Sequence, residues 1–151
     1  GSIDPATGLG GPSYSSLIVE DAAAMERFFT GVLDLERRTS REWTVFSPRF
    51  RYVTLHAKGA HTGNLGLVEY ELADRKPSTG VAPRPPNRGL AAWSFPVRNL
   101  DAVLARAAAQ RVTRVAGPMK IDDPRFGEVE IATVLAPNGL LVELFERRVP
   151  R

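Results

Sequence analysis

The hydrophobic pattern of the chain occurs twice. Residues 15–33 and 93–111 each read as an alternating strand, a polar stop and an amphipathic helix, and Val19 of the first copy corresponds to Val97 of the second. Asp21 precedes the first helix and Asn99 the second, where each can cap the exposed N–H groups. A repeat of this length indicates two copies of one supersecondary unit.

Further strand patterns complete each copy and predict a βαβββ unit. The predicted strands are, in chain order, residues 14–19, 36–46, 51–57, 64–71, 90–97, 112–116, 129–135 and 140–145. A Pro-Asn-Gly turn at residues 137–139 precedes the last of them. We therefore predict an α+β fold in which two βαβββ modules form a curved sheet around a ligand cavity.

Stretches rich in Gly and Pro divide the chain into modules. We expect a flexible N-terminal arm at residues 1–13, a first module at 14–72, a Pro-rich linker at 73–89 and a second module at 90–147. A linker of this length can cross one module to reach the next.

A second repeat lies in the last strand of each module, where Leu67-Val68-Glu69 recurs as Leu141-Val142-Glu143. One helix covers one face of each sheet, so strand parity separates core residues from cavity residues. Parity assigns both glutamates to the cavity, and it adds the following candidate ligand contacts: Tyr14, Ser16, His56, Ser94, Glu130 and Phe145. Such a cavity has enough titratable groups for acid-base chemistry or for a metal.

Composition limits the classes of function. The 151 residues are 43% hydrophobic and contain neither an apolar run long enough to cross a bilayer nor a signal-peptide pattern, so we expect no membrane span. The absence of cysteine excludes disulfides, thiolate metal sites and a cysteine nucleophile, and it fits a cytoplasmic protein. The net charge is +3 and arginine dominates the basic residues, which suits an anionic small molecule. These arginines are scattered, so we expect no nucleic-acid partner.

Four stretches are characteristic: LIVEDAAAMERFFTGVLDLE in the first half, and FPVRNLDAVLARAAAQ, AGPMK and LAPNGLLVELFE in the second. Together they resemble the vicinal-oxygen-chelate superfamily, which includes glyoxalase I, bleomycin-resistance proteins, extradiol dioxygenases and small epimerases. The resemblance spans about residues 14–146. It implies the fold predicted above and a ligand cavity.

In metal-dependent members, the resemblance implies one ligand on the first strand and one on the last strand of each module. The last-strand positions map to Glu69 and Glu143. The first-strand positions map to Tyr14 and Ala92, where such members usually carry His or Gln. The imidazoles that hold Zn, Ni or Fe(II) are therefore missing, and His56 is the one imidazole that parity places nearby. A metal set, if present, would be Glu69, Glu143 and His56.

We expect a protein that binds a small organic ligand, anionic or aromatic, without the usual metal, either as a sequestering protein or as a lyase or isomerase. In the catalytic case Glu143 is the base or hydrogen-bond acceptor, His56 the proton partner and Tyr14 the orienting donor. One alternative is a divalent-metal glyoxalase, epimerase or dioxygenase-type enzyme. Another is a non-catalytic interaction module with a filled cavity. In each case a homodimer is the expected assembly.

Overall fold

The computed structural model describes residues 6, 14–45, 48–60, 63–71, 92–124 and 126–147. The chain divides into two compact units, the first at residues 1–75 and the second at residues 76–151. The predicted arm, apart from Ala6, and the predicted linker lie outside the described residues. In the described part of the chain, no helix is long and apolar enough to cross a membrane.

The first unit is a βαβββ module, as predicted. Its elements are β1 (Tyr14–Ile18), α1 (Ala22–Leu33), β2 (Glu36–Trp43), β3 (Phe50–His56) and β4 (Asn64–Tyr70). The sheet order is β1-β4-β3-β2, with β1 parallel to β4 and the other pairs antiparallel.

Helix α1 forms where its apolar spacing and its cap coincide. Asp21 accepts a hydrogen bond from the N–H of Ala24 at 2.7 Å, which confirms the predicted cap. The helix ends at Asp34, which adopts the left-handed conformation with φ 59°. The helix packs on one face of the sheet, and the residues buried between them are Met25, Phe28, Phe29, Val32, Val53, Leu55, Leu65 and Leu67. Removing these apolar side chains from water is the main stabilising contribution in the first unit.

The second unit repeats the module. Its elements are β5 (Ala92–Pro96), α2 (Leu100–Ala109), β6 (Arg114–Asp123), β7 (Gly127–Leu135) and β8 (Leu141–Arg147), in the sheet order β5-β8-β7-β6. Asn99 caps α2 by accepting a hydrogen bond from the N–H of Ala102 at 2.9 Å. The residues buried on the helix face are Leu100, Val103, Ala107, Ala132, Val134, Val142 and Leu144.

Strand β6 is twice as long as predicted, and the prediction at residues 112–116 was wrong in both bounds. Most of its residues are exposed on this edge strand, so no alternation marks it in the sequence. Its pairing with β7 shifts around Gly117, which has a φ of 76°. A β-carbon at Gly117 would lie 2.4 Å from the carbonyl oxygen of Ile131, so the close approach of the two strands requires glycine.

Candidate functional site

Each sheet has a helix face and an opposite face, which we call the far face. In the first unit, Leu17 pairs with the buried Leu67, so Tyr14 and Ser16 lie on the far face, as strand parity predicts. Tyr14 is 59% exposed there. In the second unit, Ser94 pairs with Glu143 and lies on the far face of its sheet.

Glu69 does not lie on the predicted side. It follows Leu65 and Leu67 on the helix face, and its Oε2 accepts a hydrogen bond from the N–H of Ala22 at 2.9 Å. The parity assignment was wrong because it places Val68, which is also apolar and buried, against the helix instead of Leu67. The carboxylate satisfies the first free N–H of α1 and complements its dipole.

Glu130 is the second correction. It pairs with Glu146 and with Lys120, and its neighbour Ala132 pairs with the buried Leu144, so Glu130 lies on the helix face. The sequence alternation of Val129 and Ile131 predicts the opposite orientation. These two apolar residues line the far face instead, beside the aromatic rings of the cavity described below.

Glu146 is the structural counterpart of Glu69. Its Oε2 accepts a hydrogen bond from the N–H of Leu100 at 2.9 Å, at the start of α2. The separation between the two glutamates along the chain nearly equals the separation between Ala22 and Leu100, the residues that they bond. The repeated Leu-Val-Glu phrases are therefore not equivalent in the structure.

The strand register identifies the residue that matches Glu143. Ser16 pairs with Gly66 in the first unit, and Ser94 pairs with Glu143 in the second. Gly66 therefore occupies the position of Glu143, and the repeat carries one carboxylate at this position instead of two.

A cavity of about 290 Å³ opens on the far face of the second unit. Its lining residues are Ser94, Asp123, Phe126, Val129, Ile131, Glu143 and Phe145. The rings of Phe126 and Phe145 stack with centroids 5.6 Å apart and planes at 22°. The guanidinium of Arg147 makes a cation-π contact with Phe126, at 4.2 Å from the centre of its ring.

Glu143 is held in place at this cavity. The hydroxyl of Ser94 donates a hydrogen bond of 2.7 Å to Glu143 Oε1. A charge-assisted hydrogen bond of this length orients the carboxylate. Within the described residues Oε2 has no hydrogen-bond partner, so it can accept a donor from a ligand.

His56 and Tyr14 both lie on the far face of the first unit. Leu55 pairs with Leu65, so His56 and Asn64 come one residue further along their strands, and Tyr14 pairs with Asn64. The three residues form a row across β3, β4 and β1. Nδ1 of His56 is buried and has no hydrogen-bond partner in the described part of the chain.

The first unit has a larger cavity of about 460 Å³ at the ends of its strands. It is lined by Glu42, Trp43, Thr44, Arg49, Phe50, Arg51, Glu69 and Glu71. Two of its charged groups already have partners in the chain, since Glu69 accepts a hydrogen bond from Ala22 and Arg51 pairs with Glu26 at 3.8 Å. We assign no ligand to this cavity.

A sequence comparison decides the family. The chain matches the Glyoxalase/Bleomycin resistance protein/Dioxygenase superfamily over residues 11–144. The chain belongs to this superfamily. No curated protein matches the sequence.

Solved structures share the fold of this superfamily member. A glyoxalase family protein from Bacillus cereus has a TM-score of 0.76 and 14% identity, over 95% of this chain and 97% of that one. TnmS3, an antibiotic binding protein from a Streptomyces species, has a TM-score of 0.64 and 17% identity, over 93% and 98%. The trypanothione-dependent glyoxalase I of Leishmania major has a TM-score of 0.63 and 18% identity, over 93% and 88%. At these identities the likeness concerns the fold.

The superfamily includes metal-dependent enzymes, and the residues present here do not fit the metal set that the sequence implied. Glu69 and His56 lie on opposite faces of one four-stranded sheet, so they cannot bind the same ion within their unit. Gly66 supplies no donor where a second far-face carboxylate would stand. Among the described residues, no group of three or more His, Asp or Glu side chains is arranged to hold a metal ion.

The sequence did not reveal four residues that matter for the site. Asp123, the last residue of β6, and Phe126, in the turn that follows, line the cavity but lie beyond the predicted end of this strand, where the sequence has no periodicity. Gly66 gives no signal because it has no side chain. Glu146 lies outside the repeated Leu-Val-Glu phrase, although comparing the helix starts instead of the strand phrases pairs it with Glu69.

Proposed function

We propose that this superfamily member binds a small, flat aromatic molecule that carries a hydrogen-bond donor, on the far face of its second unit, without a metal ion. The observation that carries the proposal is the cavity in which stacked rings of Phe126 and Phe145 adjoin a carboxylate positioned by Ser94. Apolar walls with a few oriented polar groups are the usual composition of a ligand site.

The size of the cavity supports a ligand of one or two rings. An engineered apolar cavity of about 150 Å³ holds benzene, and this cavity measures about 290 Å³. Val129, Ile131 and the ring of Phe145 offer flat apolar contact, and offset stacking on an aromatic ring adds about 1 kcal/mol beyond area burial.

The charge of the cavity selects among the ligands that the sequence allowed. Glu143 and Asp123 both line it, so an anionic ligand would meet two carboxylates. A neutral phenol, indole or amino-substituted ring instead donates its O–H or N–H to Glu143 Oε2. The aromatic alternative is therefore favoured here over the anionic one.

The test is a titration of the full chain with catechol and indole, followed by two-dimensional NMR. We expect shift changes at Ile131, Phe145 and Glu143, and we expect Glu143→Gln to weaken binding about tenfold because the ligand loses a charge-assisted hydrogen bond. Glu128→Gln is the matched control, since Glu128 lies exposed on the same strand as Ile131 but outside the cavity lining.

Two results would contradict the proposal. One is binding of cyclohexanol as tight as that of catechol, which would remove the aromatic requirement. The other is an equal loss of ligand affinity in Glu143→Gln and Glu128→Gln, which would show that net charge causes the loss.

The same variant separates sequestration from chemistry. In the catalytic form of the proposal, Glu143 is the base that removes a proton from a bound carbon acid, as in a metal-independent lyase or isomerase. Exchange of substrate C–H for deuterium in D₂O, lost in Glu143→Gln, identifies this activity. Ligand binding without exchange identifies a sequestering protein.

We also propose a homodimeric, cytoplasmic protein. Closed two-fold dimers are the commonest assembly of soluble homo-oligomers, and a chain without cysteine suits a reducing compartment. Size-exclusion chromatography with light scattering measures the mass in solution. A mass of 16.5 kDa, that of one chain, would overturn the dimer.

A further inference from the structure

We propose that the far face of the first unit binds a carboxylate group through the hydroxyls of Ser16 and Tyr52, above Gly66, with Arg41 as the countercharge. The residues of this site belong to the first unit and those of the aromatic cavity to the second, and the site goes beyond the function proposed above.

The two hydroxyls converge on one point. A β-carbon placed on Gly66 would lie 2.6 Å from Ser16 Oγ and 2.6 Å from Tyr52 Oη. The two oxygens are therefore no further apart than twice this distance, and one acceptor atom at about 2.7 Å from each can bridge them. A side chain at position 66 would displace both hydroxyls from these positions.

Both hydroxyls are available to a ligand. Within the described residues neither makes a hydrogen bond, and Ser16 is exposed while Tyr52 is half-buried. A hydroxyl that keeps its donor free over a rigid β-sheet backbone needs little rearrangement to bind an anion. Thr39 and Thr54, next along the same face, instead satisfy each other at 3.2 Å.

The surrounding charge favours an anion. Arg41 pairs with Tyr52 in the register between β2 and β3, so both side chains point to the far face. Arg41 is exposed and has no acidic partner among the described residues. On the far face of these four strands, one residue is acidic, Glu36. It pairs with His56, which is four residues along β3 from Tyr52.

The comparison with the second unit shows that this chemistry is specific to the first. The position of Gly66 is taken there by Glu143, whose carboxylate accepts the hydrogen bond of Ser94. The same serine in the first unit has no carboxylate to bond. Where the second unit has the acceptor Glu143, the first unit has the hydroxyl donors of Ser16 and Tyr52 above Gly66. A ligand carboxylate can accept hydrogen bonds from both. Two hydroxyl donors and a guanidinium fork match its two oxygens.

The experiment uses the full chain and succinate as the probe, an aliphatic carboxylate without the ring that the second-unit cavity requires. We expect succinate to shift the amide signals of Ser16 and Gly66 and the ring signals of Tyr52. The double variant Ser16→Ala, Tyr52→Phe should weaken binding at least tenfold, because two donors are lost while the shape is kept. Tyr70→Phe is the matched control, since Tyr70 is on the far face of the same sheet but is not adjacent to Gly66.

Arg41→Gln tests whether the positive charge of Arg41 contributes to succinate binding. It should weaken binding and flatten its dependence on salt, whereas Arg27→Gln, at an exposed position on α1, should leave both unchanged. Thermal unfolding of each variant shows whether it folds.

Three outcomes overturn the proposal: a double variant that folds and binds succinate like the parent chain, shifts confined to the second unit, or chloride competing as well as succinate. Inorganic phosphate binding tenfold tighter than succinate would overturn the carboxylate assignment. Loss of catechol binding in Glu143→Gln leaves this site unaffected, so the two proposals fail separately.

Discussion

Single residues decide where chemistry is possible on these two sheets. Gly66 and Glu143 occupy matching positions, yet one clears space for two hydroxyls and the other provides a carboxylate. This difference could not be predicted from the sequence, because the repeated Leu-Val-Glu phrase directs attention to Glu69 instead. Tyr14, Ser16 and Ser94 could be placed correctly, since Leu17 and Trp93 pair with the buried Leu67 and Val142 on the helix face, as parity assumes.

Gly117→Ala should lower the free energy of unfolding by at least about 2 kcal/mol, because it combines a positive φ with a contact against the backbone of β7. Chemical denaturation measures the loss.

Gly127→Ala is the matched control. Gly127 has a φ of 72° but open space around the added β-carbon. This variant therefore loses stability through the positive φ alone, without a steric contact. Equal losses in the two variants would contradict the role assigned to the contact between β6 and β7.

Helices and strands were predicted with uneven success, for physical reasons. Both helices follow from their caps and their apolar spacing, and most strands follow from alternation. Strand β6 could not be bounded, since an exposed edge strand has no apolar face to reveal it. The orientation of β4 and β7 failed because both strands bury residues on their two faces, which removes the contrast that parity needs.

Glu69 and Glu146 each accept a hydrogen bond from the N–H of the first residue of a helix. Glu69→Ala and Glu146→Ala should each lower the free energy of unfolding by about 1 kcal/mol, because each leaves a helix N–H without its charged acceptor. Urea denaturation followed by circular dichroism measures the change.

Glu71→Ala serves as the control, since Glu71 is exposed and lies just beyond β4. A loss in Glu71→Ala equal to that in Glu69→Ala would show that net charge, and not the hydrogen bond to Ala22, sets the effect.

At the scale of the whole molecule, the fold and the family could be predicted from the duplicated pattern, whereas the step to a metal enzyme could not. The fold places Glu69 against a helix and leaves Gly66 at the matching site position. Membership of the superfamily therefore accounts for the scaffold, whereas the chemistry of the site depends on this chain's own side chains.

After treatment with a chelator, adding Ni²⁺, Zn²⁺ or Mn²⁺ should leave the melting temperature within about 1 °C, because a site of one carboxylate binds such ions weakly. A rise of several degrees that Glu143→Gln abolishes would contradict this prediction and restore the metal-dependent alternative.

The hydrogen bonds that Ala22 donates to Glu69 and Leu100 donates to Glu146 also have a kinetic consequence. Each joins the first residue of a helix to the strand that completes its module, far along the chain. These two amide protons can exchange with solvent only when the last strand separates from the helix or the carboxylate swings away. Their exchange rates therefore report, for each unit separately, how often the module comes apart at its final strand.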